Sequence, residues 1–530
     1  MLVLTVALCS CAGSQPGGTP ADTALLAQLP PLPDAKAPSE LSGDVVEGNE
    51  TWNSSFNAVP IETDLELSSG VNTMCWGIWR LQPGEDELLG VEIQLSVSGD
   101  DEAWAAVANY ELGRWEFEGP LTAGQELPLS NVAHRSESGN CFVAVMTSGG
   151  NNATVNRLVM TENRVGWQIV TVGREGLCVQ SSLAVIDGRP AISYYDDSSA
   201  DSLKFIRSST ATGADPEDWG DPTTVYTGWI AYSDLAEVEG TPAVCFWLQG
   251  TLVYSRSATV DGDDPLDWSV ASVDNDDNAG HYCSLAVVAG NPAISYHNNP
   301  DFNVKNLRYA RSTTSTGENS GDWSQKVEID TGGEVGLYTS LAVVDGNPAI
   351  AYADLTDKQL KYARSTTETG ADQADWSQIV VVDTGEAGLG YMSLAVVDGN
   401  PAISYWDHKT DDLKYARSLT ATGADAGDWL QQAIVHSETE PSSADNYTSL
   451  LVVDGKPAIA YPSGEFTTNL SFAHASTTTG GDSADWDAKD IVDSETGVGT
   501  YCDMVLVGGR PAITYYDESN FTTKYAILYR

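Results

Sequence analysis

The sequence predicts an all-β protein, a seven-bladed β-propeller preceded by a small β-sandwich. Three observations carry this. A hairpin motif recurs seven times at a spacing of 50 to 56 residues, a period that marks solenoids and propellers. Each copy is followed by a further strand-like run, and all but the last by a second one. The first copy is preceded by a spare run of that last kind.

The hairpin reads SLAVVDGNPAISYWD at residues 393–407. Its sisters start at Ser182, Asp234, Ser284, Ser340, Ser449 and Asp503. The apolar run Leu394 to Val397 meets an Asp-Gly turn, a strong hairpin signal. Pro401 opens the second strand, where its missing N–H costs least. There Ala402 and Ser404 share one face, Ile403 and Tyr405 the other. The third strand is LKFIRS from Leu203, LVYSRS from Leu252, LRYARS from Leu307, and LKYARS from Leu360 and Leu413. A polar loop ending in Trp follows, then a fourth strand such as SQIVVVD from Ser377, which makes a propeller blade. The last copy ends at TKYAILYR without a fourth strand, and GWQIVTV from Gly166 is expected to supply it. Residues 164–530 are therefore expected to close as a ring.

Residues repeated in every blade point in as many directions and form no single site. Arg207, Arg256, Arg311, Arg364 and Arg417 are expected to staple the polar loop through its repeated acid (Asp218, Asp267, Asp322, Asp375, Asp428, Asp485). The Trp after each acid is expected to pack between blades. Residues 43–163 lack the repeat but alternate as short strands, which suggests the sandwich. Its tryptophans (Trp52, Trp76, Trp79, Trp104, Trp115) are expected in core packing rather than on a sugar-stacking face.

The chain carries 75 acidic against 26 basic residues, a net charge of −49. Nucleic acid and anionic membranes are excluded as partners. The surplus reads as solubility in a salty medium, where screening blunts long-range fields. The start, MLVLTVALCSC, has an apolar run too short to span a bilayer. Leu8-Cys9-Ser10-Cys11 resembles the lipobox of bacterial lipoproteins, although a basic n-region is missing. The resemblance implies a signal over 1–11, lipidation of Cys11, a Gly/Pro/Ser tether over 12–42, and a bacterial protein exported as an envelope lipoprotein or secreted. An even set of six further cysteines in an exported chain favours disulfides. Cys75 and Cys141 fall in one segment and are expected to pair; Cys178, Cys245, Cys283 and Cys502 leave three connectivities open.

A single site is expected where blades differ, on the face made by the two-to-three and four-to-one loops. Strand two ends there in Asp196, Asp354, Asp407 and Asp517, with Asn298 in blade 3. Beside them lie Tyr195, His297, Trp406, His408 and Tyr516, and the loop before blade 3 adds His281 and Tyr282. Rings for stacking and acids for hydroxyls suit a sugar-binding mouth. The loop DNDDNAG also imitates a calcium loop through Asp274, Asp276 and Asn278, although its Gly comes late and no Glu follows at the twelfth position. No other cofactor is expected.

The polar loop, STTETGADQADW in one blade, resembles the Asp-box of sialidase-type propellers, lengthened and with its Asp displaced. That implies the architecture. The sialidase arginine triad is not visible, because the arginines here belong to the repeat, and sialidase activity is not expected. The repeat itself is similar to bacterial G-x-P-x-I-[SA]-Y … L-x-Y-A propellers of exported proteins and, in a related form, of ulvan lyases. The resemblance to the lyases implies an acid/base role for a His and a Tyr near the channel mouth, here His281 or His297 with Tyr282. The primary expectation is a monomeric surface module that binds a glycan or a surface protein without catalysis, touching the membrane only through its lipid. The alternatives are a lyase acting on a uronate polysaccharide and a structural envelope protein.

Overall fold

The protein is described as a computed structural model covering Ser54 to Tyr529 with short interruptions, the longest at 82–89 and 438–446. The lipobox at Cys11, the tether and Trp52 lie outside the described residues. The chain forms two compact units, Met1–Arg164 and Val165–Arg530.

The first unit pairs its strands into two five-stranded sheets. Cys75–Leu81, Trp104–Asn109 and Cys141–Thr147 lie within one; Asp64–Ser68, Gly90–Val97 and Asn152–Thr161 lie within the other. Alternation builds the core: Leu65, Leu67, Trp79, Val91, Ile93, Val143 and Val145 are buried together. Trp76 points to the opposite face, where Trp104 and Trp115 pack with it, so the described tryptophans serve packing. The expected Cys75–Cys141 disulfide is corrected. In the antiparallel pair Cys75 stands opposite Thr147 and Cys141 opposite Leu81. The two thiols sit at opposite ends of the ladder, about 20 Å apart at the rise of a strand; both are buried and neither is in a disulfide. Sequence proximity said nothing about register.

The second unit contains seven four-stranded antiparallel sheets, each a blade. Gly166–Gly173 pairs with Thr522–Tyr529 and completes the last blade, joining the two ends of the ring. Three layers of contact lock neighbouring blades. At the axis, the first residue of each repeated hairpin accepts the backbone N–H of the next blade's second residue. Ser182 accepts from Leu235, Asp234 from Leu285, Ser284 from Leu341, Ser340 from Leu394, Ser393 from Leu450, Ser449 from Met504 and Asp503 from Leu183, all within 3.2 Å. The cycle returns to its start, so the ring is closed by hydrogen bonds as well as by strand exchange.

Further out, the strand-two Tyr of one blade and the strand-three Lys beside it hold the acid that ends strand four of the preceding blade. Tyr352 and Lys361 bind Asp330; Tyr405 and Lys414 bind Asp383; Tyr515 and Lys524 bind Asp493. At the rim, each loop Trp bonds a glycine carbonyl of its own loop, as Trp376 Nε1 does to Gly370 at 2.9 Å, and packs on a strand-three ring of the preceding blade, a Tyr as for Trp376 on Tyr309 or, for Trp268, Phe205. The expected Arg–Asp staple is corrected: each Arg instead donates Nε to the carbonyl ending strand one, for example Arg364 to Val344 and Arg417 to Val397. The loop acid caps its own short turn, Asp375 accepting from Asp372 N and Thr367 Oγ1.

Candidate functional site: an aromatic mouth at the junction of blades 2 and 3

Two residues before each axial Ser or Asp stands a tyrosine: Tyr232, Tyr282, Tyr338, Tyr391, Tyr447 and Tyr501, with Gln180 in blade 1. In five of the seven blades the ladder slips by a residue here, and Gln180, Tyr232, Tyr282, Tyr338 and Tyr501 adopt φ of 53–57°. The bulge turns the side chain off the sheet toward the axis. Successive rings then touch, with centroids 4.1–5.0 Å apart from Tyr232 round to Tyr501. Gln180 closes the circle by accepting from Tyr232 N. Tyr282 and Tyr391 approach to 6.0 Å across the axis, so rings fill it at this level. Sequence reasoning missed this ring apart from Tyr282. The signal is a Tyr at the same offset in six copies, two residues ahead of each hairpin motif.

The ring is regular, but one junction departs from it. His281 of blade 3 strand one (Ala279–Val288) and His297 of strand two (Asn291–Asp301) are cross-strand partners, with ring centroids 6.3 Å apart. Tyr282 lies 6.2 Å from the first and 6.4 Å from the second. Trp247 of blade 2 stands edge-on to His281 at 4.9 Å and to Trp229 at 4.9 Å, and Trp229 is half exposed. The sequence reading therefore named three of the converging rings and omitted Trp229, Trp247 and Tyr232.

Both imidazoles are held neutral. Burial alone pulls His281 below the ordinary imidazole range, and burial dominates the fall of His297 to about 4. His297 Nδ1 donates to the Val335 carbonyl at 2.9 Å, which leaves Nε2 with a lone pair. His281 Nε2 donates to Asn278 Oδ1 at 3.1 Å, which leaves Nδ1 unprotonated. Burial, with Tyr232 and Tyr338 nearby, raises the Tyr282 hydroxyl well above its usual range, so it stays a donor.

Asn298 completes the departure. Both ends of its amide are buried and have no hydrogen-bond partner among the described residues, and the same holds for Trp247 Nε1. At the matching position Asp354 pairs with Lys361, Asp407 with Lys414 and Asp517 with Lys524. In blade 3 the basic residue is Arg308, and it is drawn away to Asp274, Asp276 and Glu328. A buried unpaired polar group costs about 1–3 kcal/mol, so these atoms are the ones that gain most from a ligand.

The remaining nominated residues sit elsewhere. Asp354, Asp407 and Asp517 are buried in the clasps just described, and Asp196 is buried at the end of its strand. Trp406 is buried between blades 5 and 6, its Nε1 on the Tyr447 carbonyl. Tyr195 is buried and donates to Asp201, and Tyr516 packs beside Tyr501. His408 follows Asp407 at the strand end, half-buried and apart from the His281 cluster. Of the suggested calcium ligands, Asp274 accepts from Tyr296, Arg308 and Lys326; Asp276 accepts from Arg308; Asn278 accepts from His281. Cationic side chains hold the oxygens a metal would need, and no group of three metal-ligating acids, histidines or cysteines occurs among the described residues.

No family model matches this chain. No curated protein matches it. Solved structures of similar architecture include the Hadza microbial sialidase Hz136 (11% identity, 84% of this chain and 94% of that one, TM-score 0.38). They also include the NanB sialidase from Streptococcus pneumoniae (10%, 84% and 95%, TM-score 0.39). A thermostable family-43 glycoside hydrolase is a third (12%, 57% and 90%, TM-score 0.30). The architecture is an all-β propeller of four-stranded antiparallel sheets. The expectation of a binding module without catalysis is corrected by this finding, since these are enzymes, and they do not single out a lyase.

Proposed function

We propose that the protein is a carbohydrate-active propeller whose site is the mouth between blades 2 and 3. One observation carries the reading: the rings of His297, Tyr282, Tyr232 and Trp247 gather round His281, their centroids 4.9–6.3 Å from it. The exposed Trp229 and the edge of Trp247 offer apolar faces for a pyranose. The Asn298 amide and Trp247 N–H, which have no hydrogen-bond partner among the described residues, offer polar contacts. A neutral imidazole with a free lone pair is a competent proton acceptor, and a Tyr hydroxyl kept protonated is a competent donor. His281 Nδ1 is assigned the first role and Tyr282 the second. The reading carries with it export and acylation at Cys11, which a palmitate-labelling comparison with Cys11→Ala checks.

Intrinsic tryptophan fluorescence during titration with neutral and acidic oligosaccharides tests the site. Saturable quenching in the full chain that is lost in Trp229→Ala supports it. No quenching by any oligosaccharide, or quenching that survives Trp229→Ala unchanged, overturns it.

A further inference from the structure

We propose that Cys245 and Cys283 form a disulfide that joins blade 2 to blade 3. Their Sγ atoms lie 3.2 Å apart, and both residues are buried. Cys245 sits in blade 2 strand two (Thr241–Leu248), Cys283 in blade 3 strand one. They meet across a blade interface, so the bond would cross-link elements that share no backbone ladder.

The homologous positions at other interfaces show what this pair replaces. Between blades 3 and 4 they hold Ser295 and Thr339, with hydroxyls hydrogen-bonded at 2.9 Å. Between blades 5 and 6 they hold Ser404 and Thr448, again at 2.9 Å. At these two interfaces the fold brings two small polar side chains into contact. Only between blades 2 and 3 are both of them thiols; Cys502, at the same strand-one position in blade 7, faces the alanine Ala460 and contacts its carbonyl. The fold has already placed the sulfurs, and a change of side-chain rotamer closes the remaining ~1 Å to bonding distance. Cys283 Sγ also contacts the Tyr232 carbonyl, which holds it at the interface.

The step needs an oxidant of the disulfide class. A thiolate attacks the oxidant's sulfur, its partner thiolate displaces the mixed disulfide, and the oxidant leaves as two thiols. Two protons leave the cysteines, one Sγ–Sγ bond forms, and the oxidant's S–S bond is reduced. Burial of both sulfurs places this step during folding, before the interface closes.

The test is to fold the full chain in a buffer of reduced and oxidised glutathione, alkylate under denaturing conditions, and map the digested peptides. The expected result is one linked Cys245–Cys283 peptide with Cys75 and Cys141 alkylated. A melting scan accompanies it: reductant should lower the midpoint of the wild-type chain by several degrees and leave the Cys245→Ser/Cys283→Thr variant, which restores the hydroxyl pair, unmoved. Recovery of Cys245 and Cys283 as alkylated or glutathionylated thiols, or a wild-type midpoint indifferent to reductant, overturns the proposal. Neither readout depends on what the mouth binds.

Discussion

His281 and His297 face each other across neighbouring strands of blade 3, ring centroids 6.3 Å apart, and burial holds both neutral. A neutral imidazole beside a protonated phenol is an acid–base arrangement that needs no free carboxylate. His281→Gln keeps a ring-sized polar group and removes the base. Turnover should fall by about 10²–10⁴-fold, while oligosaccharide quenching of Trp229 stays within a few-fold of wild type. Loss of both together would mean that His281 only shapes the mouth.

The histidines also set an acid limit. Their folded values lie below that of the unfolded chain, so the unfolded state binds more protons as the pH drops. The stability they contribute is complete above the ordinary imidazole range and is lost as the pH falls toward about 4, where His297 titrates. His297→Gln should flatten the melting midpoint between pH 6.5 and that point. An unchanged acid limb would assign it to other groups.

Asn298 should separate function from stability. Asn298→Leu deletes two buried polar atoms that have no partner among the described residues, so the melting midpoint should hold or rise. Oligosaccharide affinity should fall about tenfold, the value of one lost hydrogen bond to a ligand. A destabilised variant with normal affinity would show that the amide serves the fold instead.

Lys414 spans Asp407 in its own blade and Asp383 in the preceding one. Lys414→Met leaves two partly or fully buried carboxylates without their cation, which should cost about 3–5 kcal/mol in chemical denaturation. The interface between blades 1 and 2 shows an alternative: Tyr226, Phe246 and Val253 take the places of acid, Tyr and Lys and pack without charge. Installing that triple at the clasp together with Asp407→Leu, the residue blade 2 carries there as Leu248, should be far less costly than the single change.

The axial acids predict the opposite pH trend. Asp234 and Asp503 flank Ser182, and burial with their mutual repulsion raises Asp234 to about 6. A raised carboxyl favours the folded state when protonated, so this stability is present in acid and lost as the pH climbs through about 6. Asp234→Ser, the residue most other blades use, should raise the midpoint at alkaline pH by roughly 1–2 °C and leave it unchanged in acid.

The blades were legible because hairpin turns, strand-opening prolines and the loop Trp recur at a fixed period. The closing strand at Gly166 was legible for the same reason. The site was legible only in part. His281, His297 and Tyr282 stood out because they break the repeat, but Trp247 of blade 2 was not singled out. The acids Asp354, Asp407 and Asp517 looked like ligands for sugar hydroxyls because sequence shows charge without its partner. Their lysines stand on the neighbouring strand and turn inward, a fact of register. Cys75 and Cys141 failed for that reason too. Trp406 differed between blades and was taken for a ligand contact, yet a large ring at that position can equally fill the interface behind it.

The most direct test is the release of new reducing ends from a panel of polysaccharides by the full chain, measured beside His281→Gln. The account predicts release by the wild-type chain on at least one polysaccharide and a fall of about 10²–10⁴-fold in the variant. No release across the panel, or equal release by both proteins, would contradict it.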